Sequence, residues 1–115
     1  MPDHESVLEK IRDFRDQRDW MKFHHPKDLA AGIAIEAAEL MELFLWKDLA
    51  EQAQVVEEKR ERIEEEIADV GLFLLELADN LDIDLWKAID AKLAKNADKY
   101  PVAKAKGRNV KYTEL

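Results

Sequence analysis

The apolar residues of this 115-residue chain recur with helical spacing almost from end to end. No stretch alternates apolar and polar residues as a half-buried strand does, and only three glycines interrupt the pattern. The sequence therefore predicts an all-α fold. The length fits one domain, so we expect a single domain over residues 1–115 with a basic C-terminal tail at about 101–115.

Four helices are predicted from the apolar stripes and from the residues that commonly start or end a helix. They cover about residues 6–20, 29–48 and 57–81, and a fourth begins after Asp84 and stops before Tyr100. Ser6, Asp28 and Asp84 are the expected N-caps. Short connections favour a four-helix bundle. The third helix carries a heptad-like packing seam, large enough to predict assembly into dimers or tetramers: Ile63, Ile67, Val70, Leu74, Leu77 and Leu81.

The charge of the chain and its lack of cysteine exclude several functional classes. Lys and Arg number 18 against 26 Asp and Glu, and the net charge of −8 disfavours binding to long nucleic acids. Without cysteine there is no disulfide, thiolate nucleophile or Cys-ligated zinc, which fits a cytoplasmic protein. The N-terminus lacks the basic start and apolar run of a secretory signal. The apolar stretch 29–46 contains three glutamates, so no membrane span is expected.

These three glutamates are the only charged residues between positions 29 and 46, and one of them occupies an apolar position. On a helical projection Glu36 lies inside the apolar arc and Glu39 lies at its edge. No Lys or Arg stands three or four residues from either one. Because the burial of an unpaired carboxylate is costly, Glu36 is expected to be protonated, paired with a cation or bound to a metal ion.

A second acidic pair with the same spacing, Glu66 and Asp69, lies on the third predicted helix. Residues three apart share a face of a helix, so two such pairs on facing helices could bind one hard cation. Oxygen ligands favour Mg²⁺ or Mn²⁺ over Zn²⁺. The same spacing is also common on solvated acidic helices, and Arg62 is placed to form a surface ion pair with Glu66. The pattern by itself leaves both interpretations open.

An ordered set of motifs extends from about residue 11 to the C-terminus. The motifs are Arg18-Asp19-Trp20, Phe23-His24-x-Pro26, Asp28-Leu29, Glu36-x-x-Glu39-Leu40, Leu43-Phe44-x-Trp46, Glu65-Glu66-Ile67-Ala68-Asp69-Val70, Lys99-Tyr100-Pro101 and Lys111-Tyr112-Thr113. This set resembles the MazG-like all-α nucleoside triphosphate pyrophosphohydrolases, and within them the small dCTP pyrophosphatases. The resemblance implies Mg²⁺-dependent hydrolysis of a nucleoside triphosphate to the monophosphate and pyrophosphate in nucleotide-pool house-cleaning, with dCTP or a modified dCTP as the best guess for the substrate.

The resemblance also implies roles for individual residues. Phe73 corresponds to a base-contacting aromatic residue that is tyrosine in relatives, so the preference for the base could differ. Relatives build their sites at subunit interfaces, which again favours a homo-oligomer. The residues that match metal ligands are Glu36, Glu39, Glu66 and Asp69, and any of the three glutamates could orient or deprotonate the attacking water. The positions that match nucleotide contacts are Trp20 to His24 and Trp46.

The phosphate groups of such a substrate need ligands other than a glycine-rich loop, because the three glycines are isolated. Lys22, Lys99 and Lys111 are candidates, and the resemblance favours Lys99 and Lys111, although a single lysine is more often simply solvated. Trp20 and Trp46 could stack on a base, but Trp46 could also belong to the core. The rival hypothesis is a non-enzymatic acidic helical module for oligomerisation or interaction. It explains the seam and the charge, but not the apolar position of Glu36.

Overall fold

The computed structural model describes residues 1–115, and every regular element in it is helical. Two short 3₁₀ turns, Met21–Phe23 and Tyr112–Glu114, accompany six α-helices. The predicted all-α class is confirmed. The helices are α1 His4–Gln17, α2 Pro26–Glu42, α3 Leu49–Glu58, α4 Arg60–Asn80, α5 Leu85–Lys99 and α6 Val102–Ala105.

None of these helices has the length and apolar character that a membrane span requires.

The first two helices begin earlier than the sequence predicts, because other residues cap them. Asp3, not Ser6, is the N-cap of α1, and its carboxylate accepts a hydrogen bond of 2.8 Å from the backbone N–H of Ser6. Helix α2 begins at Pro26, whose fixed φ suits the first helical position, and His25 is its N-cap. Asp28, the predicted N-cap, lies instead in the first turn, where its charge interacts favourably with the helix dipole.

Helix α3 has no counterpart among the four predicted helices. The second predicted helix continues to residue 48, whereas α2 ends at Glu42 and a turn follows it. Asp48 caps α3, because its carboxylate accepts a hydrogen bond from the backbone N–H of Glu51 while the Glu51 carboxylate accepts one from the backbone N–H of Asp48. This capping box is the local signal that apolar spacing alone does not show.

The chain forms two compact units, Met1–Asp82 and Ile83–Leu115. The second unit contains α5, α6 and the last 3₁₀ turn. Asp84 caps α5 as predicted, since its carboxylate accepts a backbone hydrogen bond of 3.1 Å from the first turn. Tyr100 and Tyr112 pack edge to face within this unit, with their ring centroids 6.0 Å apart.

In the first unit, α2 and α4 form the most extensive helix pair, and α1 and α3 also pack on α4. Gly32 lies beside Phe73, whereas Glu36, farther along α2, faces Glu66, which comes earlier on α4. The two helices are therefore antiparallel. A Cβ atom at position 32 would lie 3.4 Å from the Phe73 ring, which is an ordinary van der Waals distance. The Phe73 ring therefore packs directly against the backbone of α2.

The predicted seam on α4 is only partly covered within the chain. The buried side of α4 carries two glutamates, Glu66 and Glu76. In the seam, Ile67, Leu74 and Leu81 are 55 %, 39 % and 47 % exposed, whereas the other three residues are half-buried. The apolar core is correspondingly small, and its buried residues are Leu8, Leu29, Val55 and Ala78.

An ion pair between Arg12 of α1 and Asp79 of α4 ties these two helices together. The guanidinium donates to both carboxylate oxygens, with Nε 2.8 Å from Oδ2. This hydrogen bond holds the pKa of Asp79 below its ordinary value. The pair therefore stabilises the fold above the ordinary pKa of an aspartate, and this stabilisation is lost as pH falls and Asp79 is protonated.

We expect Asp79→Asn to lower the melting temperature at neutral pH by a few degrees, because the charged hydrogen bonds to Arg12 are weakened. The difference from the wild type should shrink as pH falls below the ordinary pKa of an aspartate toward the lowered pKa of Asp79, since acid removes the same charge from Asp79. Thermal unfolding followed by circular dichroism at several pH values checks this. A difference of equal size at neutral and acidic pH would show that the ion pair is not its cause.

Candidate active site

Three glutamates converge where α2 and α4 pack together. One carboxylate oxygen from each of Glu36, Glu39 and Glu66 lies within 4.8 Å of those from the other two. Glu36 and Glu39 are half-buried, and Glu66 is only 3 % exposed. The spacing of three residues puts Glu36 and Glu39 on one face of α2, and the antiparallel packing brings Glu66 opposite them. The two acidic helix faces thus meet, as the sequence predicts.

Glu36 occupies the least favourable position for a negative charge. Burial raises the pKa of Glu36 to about 7, and the neighbouring carboxylates of Glu66, Glu39 and Asp69 contribute in the same direction. Its Oε2 atom is buried and has no hydrogen-bond partner. The apolar position of Glu36 in the sequence therefore corresponds to a strained electrostatic environment in the folded protein.

Glu66 differs from Glu36 because it has a basic partner. Arg62, one helical turn earlier, donates a hydrogen bond of 2.7 Å from Nε to Oε1 of Glu66. Burial alone would raise the pKa of Glu66, but the hydrogen bond and charge of Arg62 bring it below its ordinary value. The other oxygen, Oε2, is buried without a hydrogen-bond partner. The ion pair considered from the sequence therefore exists, but its carboxylate is buried and keeps one oxygen for another ligand.

The donor atoms of this cluster fit a divalent metal ion. All of them are carboxylate oxygens, which hard cations prefer. Two buried oxygens, Oε2 of Glu36 and Oε2 of Glu66, have no hydrogen-bond partner, and a cation would compensate both charges. Asp69, the fourth predicted ligand, is not one of the three converging residues, but its charge acts on Glu36.

A cavity of about 510 Å³ lies beside α1, α4 and the segment around the first 3₁₀ turn. Its wall is largely apolar and includes the rings of Phe14, Trp20 and Phe73. Two carboxylates of α4 also contribute to the wall, Asp69 near Glu36 and Glu76 seven residues later. An apolar pocket with a few polar groups suits a small ligand that has a flat aromatic part and charged substituents.

Glu76 anchors a group of charged side chains next to this cavity. Its side chain is 4 % exposed, and Nδ1 of His24 lies 2.9 Å from Oε1 and 2.7 Å from Oε2. Only the contact with Oε1 has the geometry of a hydrogen bond, and Oε2 is buried without one. Arg15 approaches Oε1 to 3.6 Å and donates a hydrogen bond of 3.1 Å to Oδ1 of Asn80. One carboxylate thus faces two basic side chains from α1 and the following segment.

The structure brings three of the predicted nucleotide contacts into the cavity wall, namely Trp20, His24 and Phe73. The Trp20 ring meets the Phe14 ring edge to face, with centroids 5.8 Å apart, and its centroid lies 6.3 Å from that of His24. These rings line one side of the space, and Phe73 of α4 belongs to the same wall. Their role in binding a base stays a prediction.

Two other predicted contacts lie outside the cavity wall. Trp46 is 91 % exposed and has a φ of 63°, so the alternative that it belongs to the core is wrong. A left-handed backbone is unusual for a bulky residue and is commonest at functional positions. Lys22 is exposed and binds Asp19, with Nζ 2.9 Å from Oδ2.

Lys99 and Lys111 belong to the second compact unit. Nζ of Lys99 lies 4.8 Å from the centroid of the Tyr112 ring, a cation–π contact. Lys111 immediately precedes the last 3₁₀ turn and is exposed. Their predicted contacts with phosphate groups stay predictions.

Sequence reasoning missed three charged residues of the cavity wall: Lys10, Arg15 and Glu76. Local signals for them do exist. Lys10 falls within the stripe of Val7, Ile11 and Phe14, and Arg15 stands two turns after the buried Leu8. Glu76 stands two turns after Asp69. None of these signals shows that Arg15 approaches Glu76, because these two residues are far apart in the sequence.

The fold and the site define a class of protein: an all-α domain in which antiparallel helices gather carboxylates suited to a divalent cation beside an apolar pocket. The model of the MazG-like family matches residues 32–115, which extend from α2 to the C-terminus. This chain belongs to the MazG-like family.

Relatives with known names agree with this membership. The chain is 38 % identical to dCTP pyrophosphatase 1 of Rattus norvegicus over 117 residues, which cover 96 % of this chain and 69 % of the rat protein. The values for dCTP pyrophosphatase 1 of Homo sapiens are the same. The crystal structure of a pyrophosphatase from Archaeoglobus fulgidus superimposes with a TM-score of 0.82 at 46 % identity, covering 84 % of this chain and 91 % of that one.

The predicted enzyme class is confirmed by these similarities. The chain is a nucleotide pyrophosphohydrolase of the MazG-like type. The rival hypothesis of a non-enzymatic interaction module is accordingly disfavoured. The carboxylate cluster also shows the kind of site on which a divalent metal could act in such an enzyme.

Proposed function

We propose that this protein hydrolyses dCTP, or a modified dCTP, to the monophosphate and pyrophosphate, with Mg²⁺ as cofactor and Mn²⁺ as a substitute. The observation that carries the proposal is the convergence of Glu36, Glu39 and Glu66, two of which have a buried oxygen without a hydrogen-bond partner. The names of the rat and human relatives support dCTP as the substrate. We also propose that the whole chain acts as one catalytic domain in the cytoplasm, where it keeps the nucleotide pool clean.

The metal ligands in this proposal are Glu36, Glu39, Glu66 and Asp69. When bound, a divalent cation neutralises negative charge on the phosphate oxygens as the reaction proceeds. The arrangement of the glutamates supports this role, because three converging carboxylates would otherwise repel a triphosphate. Arg62 holds one oxygen of Glu66 and so orients this side chain toward the cluster.

The chemistry proposed for the chain's own residues is the activation of water. The oxygen of a water molecule bonds to the α-phosphorus, and the bond from this phosphorus to the oxygen that bridges to the β-phosphate breaks. The electron pair of the broken bond leaves with pyrophosphate. Glu36, Glu39 or Glu66 orients the water and accepts its proton, as carboxylates do in general base catalysis.

The nucleoside is proposed to lie in the cavity, with its base against the rings of Trp20 and Phe73 and close to His24. Stacking on an aromatic ring contributes about 1 to 3 kcal/mol per base. We propose that Trp46 and Lys22 reach the nucleotide from outside the cavity wall. The exposure of Trp46 and its left-handed backbone support a role in binding, since neither is explained by packing within the chain.

For the phosphate groups we propose Lys99 and Lys111 as further ligands. The exposed ammonium groups can donate hydrogen bonds to phosphate oxygens as point charges. Their position in the motifs Lys99-Tyr100-Pro101 and Lys111-Tyr112-Thr113 supports the assignment.

We propose further that the protein is a homodimer or homotetramer. The exposed seam of Ile67, Leu74 and Leu81 supports this assembly, because the three residues stand seven apart and therefore lie along one side of α4. Burying such side chains contributes about 1.5 to 3 kcal/mol each at full burial. In a single chain these side chains remain exposed to solvent, so this stabilisation is gained only when a second chain covers them.

Product analysis tests the proposed activity most directly. The purified protein is incubated with each common dNTP and NTP, once with Mg²⁺ and once with Mg²⁺ and excess EDTA. We expect monophosphate and pyrophosphate, with dCTP turned over fastest, and no products when EDTA is present. Release of orthophosphate instead of pyrophosphate would contradict attack at the α-phosphorus, and undiminished turnover with EDTA would contradict the metal site.

A further inference from the structure

Glu76 is the feature of the cavity that the proposed mechanism leaves without a role. Its side chain is 4 % exposed, and its Oε2 atom lies 2.7 Å from Nδ1 of His24 without the geometry of a hydrogen bond, since His24 bonds to Oε1. A buried carboxylate oxygen is expected to have a donor, since the charge loses its solvation by water on burial. Because Glu76 belongs to the cavity wall, a ligand in the cavity can supply this donor.

The position of Glu76 along α4 indicates which part of a nucleotide it would meet. It stands seven residues after Asp69, which corresponds to about 10 Å along the helix axis. Phe73 lies between them on the same side of α4 and contributes to the same wall. A nucleotide whose phosphates lie at the carboxylate cluster would therefore place its base beside Phe73 and the far edge of its base beside Glu76.

The charge of Glu76 indicates what this edge must carry. Glu76 presents carboxylate oxygens, which accept hydrogen bonds, and it lies between two basic side chains, Arg15 and His24. Cytosine presents a 4-amino group at this edge, and its N3 atom beside it is an acceptor that the guanidinium of Arg15 could satisfy. Uracil and thymine present a carbonyl oxygen in place of the amino group, which would face the carboxylate as a second acceptor.

We propose that Glu76 is a specificity-determining residue that accepts a hydrogen bond from the 4-amino group of a cytosine base, and so selects amino-pyrimidine over oxo-pyrimidine nucleotides. The inference rests on the proposed function, because it needs a nucleotide in the cavity. It deepens that function by naming the residue that reads the base. A purely structural role, in which Glu76 only anchors His24 and Arg15, would affect stability without changing the choice between the two bases.

The test compares kcat/KM for dCTP and dUTP in the wild type and in Glu76→Gln, with Mg²⁺ present. The wild type should prefer dCTP by at least about tenfold. Because a glutamine amide can both accept and donate, the ratio of dCTP to dUTP hydrolysis should fall by about tenfold in the variant, chiefly through faster hydrolysis of dUTP. A variant that folds and keeps the wild-type ratio would overturn the inference.

Asp79→Asn is the matched control. It makes the same chemical change three residues later on α4, in an ion pair with Arg12 and not in the cavity wall. We expect this variant to be less stable but to keep the wild-type ratio of dCTP to dUTP hydrolysis. The same loss of preference in both variants would show a general loosening of α4 and would overturn the specific role of Glu76.

A substrate analogue allows the same test with the wild-type protein, so the result does not depend on whether a variant folds. The 2′-deoxynucleoside triphosphate of 2-pyrimidinone carries hydrogen at C4, where cytosine has its amino group. The wild type should hydrolyse it at least about tenfold less efficiently than dCTP, because the donor to Glu76 is missing. Equal efficiency would overturn the inference while leaving the proposed function intact. Failure to hydrolyse any dNTP would instead contradict the proposed function, and the inference with it.

Discussion

Replacing Glu36 with Gln is expected to abolish the pyrophosphohydrolase activity while leaving the helical structure intact. Glu36 contributes an oxygen to the three-glutamate cluster, and its other neighbours there are also carboxylates. An amide oxygen is a weaker ligand for a hard cation and cannot accept a proton from water at neutral pH. We expect kcat/KM to fall at least about a hundredfold, as even changes behind the metal ligands commonly cost ten- to a hundredfold.

The same variant is expected to be more stable than the wild type when no metal is added. Burial raises the pKa of Glu36 to about 7, so the folded state holds a proton that the unfolded chain releases near the ordinary pKa of 4.5. The stabilisation from this raised pKa is present at acidic pH and is lost as pH rises toward 7. Glu36→Gln removes this pH dependence of the stability. The melting temperature of the variant should therefore exceed that of the wild type by more at pH 8 than at pH 5.

Glu42→Gln is the control for both measurements. Glu42 is the last residue of α2, is exposed, and does not belong to the carboxylate cluster. This variant should keep the activity and the melting temperature of the wild type. Full activity of Glu36→Gln would contradict the metal site, and a lower melting temperature of the metal-free variant would contradict the electrostatic account of Glu36.

Replacing Ile67 with Lys is expected to dissociate the proposed homo-oligomer. Ile67 is 55 % exposed and belongs to the apolar seam of α4 with Leu74 and Leu81. A lysine ammonium buried in an apolar contact without a partner costs several kcal/mol, so self-association should weaken at least about a hundredfold. Size-exclusion chromatography with light scattering, over a range of protein concentrations, should show a dimer or tetramer for the wild type and a monomer for the variant.

The control for this variant is Gln17→Lys, which adds the same charge to an exposed position at the end of α1, on a different helix from the seam. It should keep the assembly state of the wild type. Circular dichroism of Ile67→Lys should show that its helices are retained. A wild-type protein that is monomeric throughout the concentration range would contradict the proposed oligomer, and an oligomeric Ile67→Lys would exclude this seam as its interface.

Much of this protein can be read from the sequence because the relevant signals are local. Apolar spacing of three and four residues determines the helices, and Asp84 caps α5 through contacts within one turn. The spacing between Glu36 and Glu39 places both carboxylates on one helix face, and the apolar residues around them indicate that this face is buried. These properties depend on neighbours along the chain, so no knowledge of the tertiary structure is needed.

The helix boundary that the sequence analysis misses also has a local cause. Near residue 48 the apolar spacing favours a continuous helix, whereas a capping box favours a new one. Apolar residues continue past Glu42, and their spacing extends the predicted second helix to residue 48. The capping box of Asp48 and Glu51 begins a new helix instead. The Asp48 carboxylate accepts a hydrogen bond from the backbone N–H of Glu51, and the Glu51 carboxylate accepts one from the backbone N–H of Asp48. In a continuous helix both backbone N–H groups would donate to carbonyl oxygens four residues earlier.

Only the tertiary structure decides which charges meet and which apolar residues stay exposed. His24 and Glu76 are 52 residues apart in sequence, and Arg12 and Asp79 are 67 apart, so no spacing rule pairs them. The seam of α4 has ideal spacing for packing, yet the antiparallel contact with α2 turns the glutamate-bearing side inward and leaves Ile67 outside. Periodicity identifies the faces of a helix, but the partner helices determine which face each of them covers.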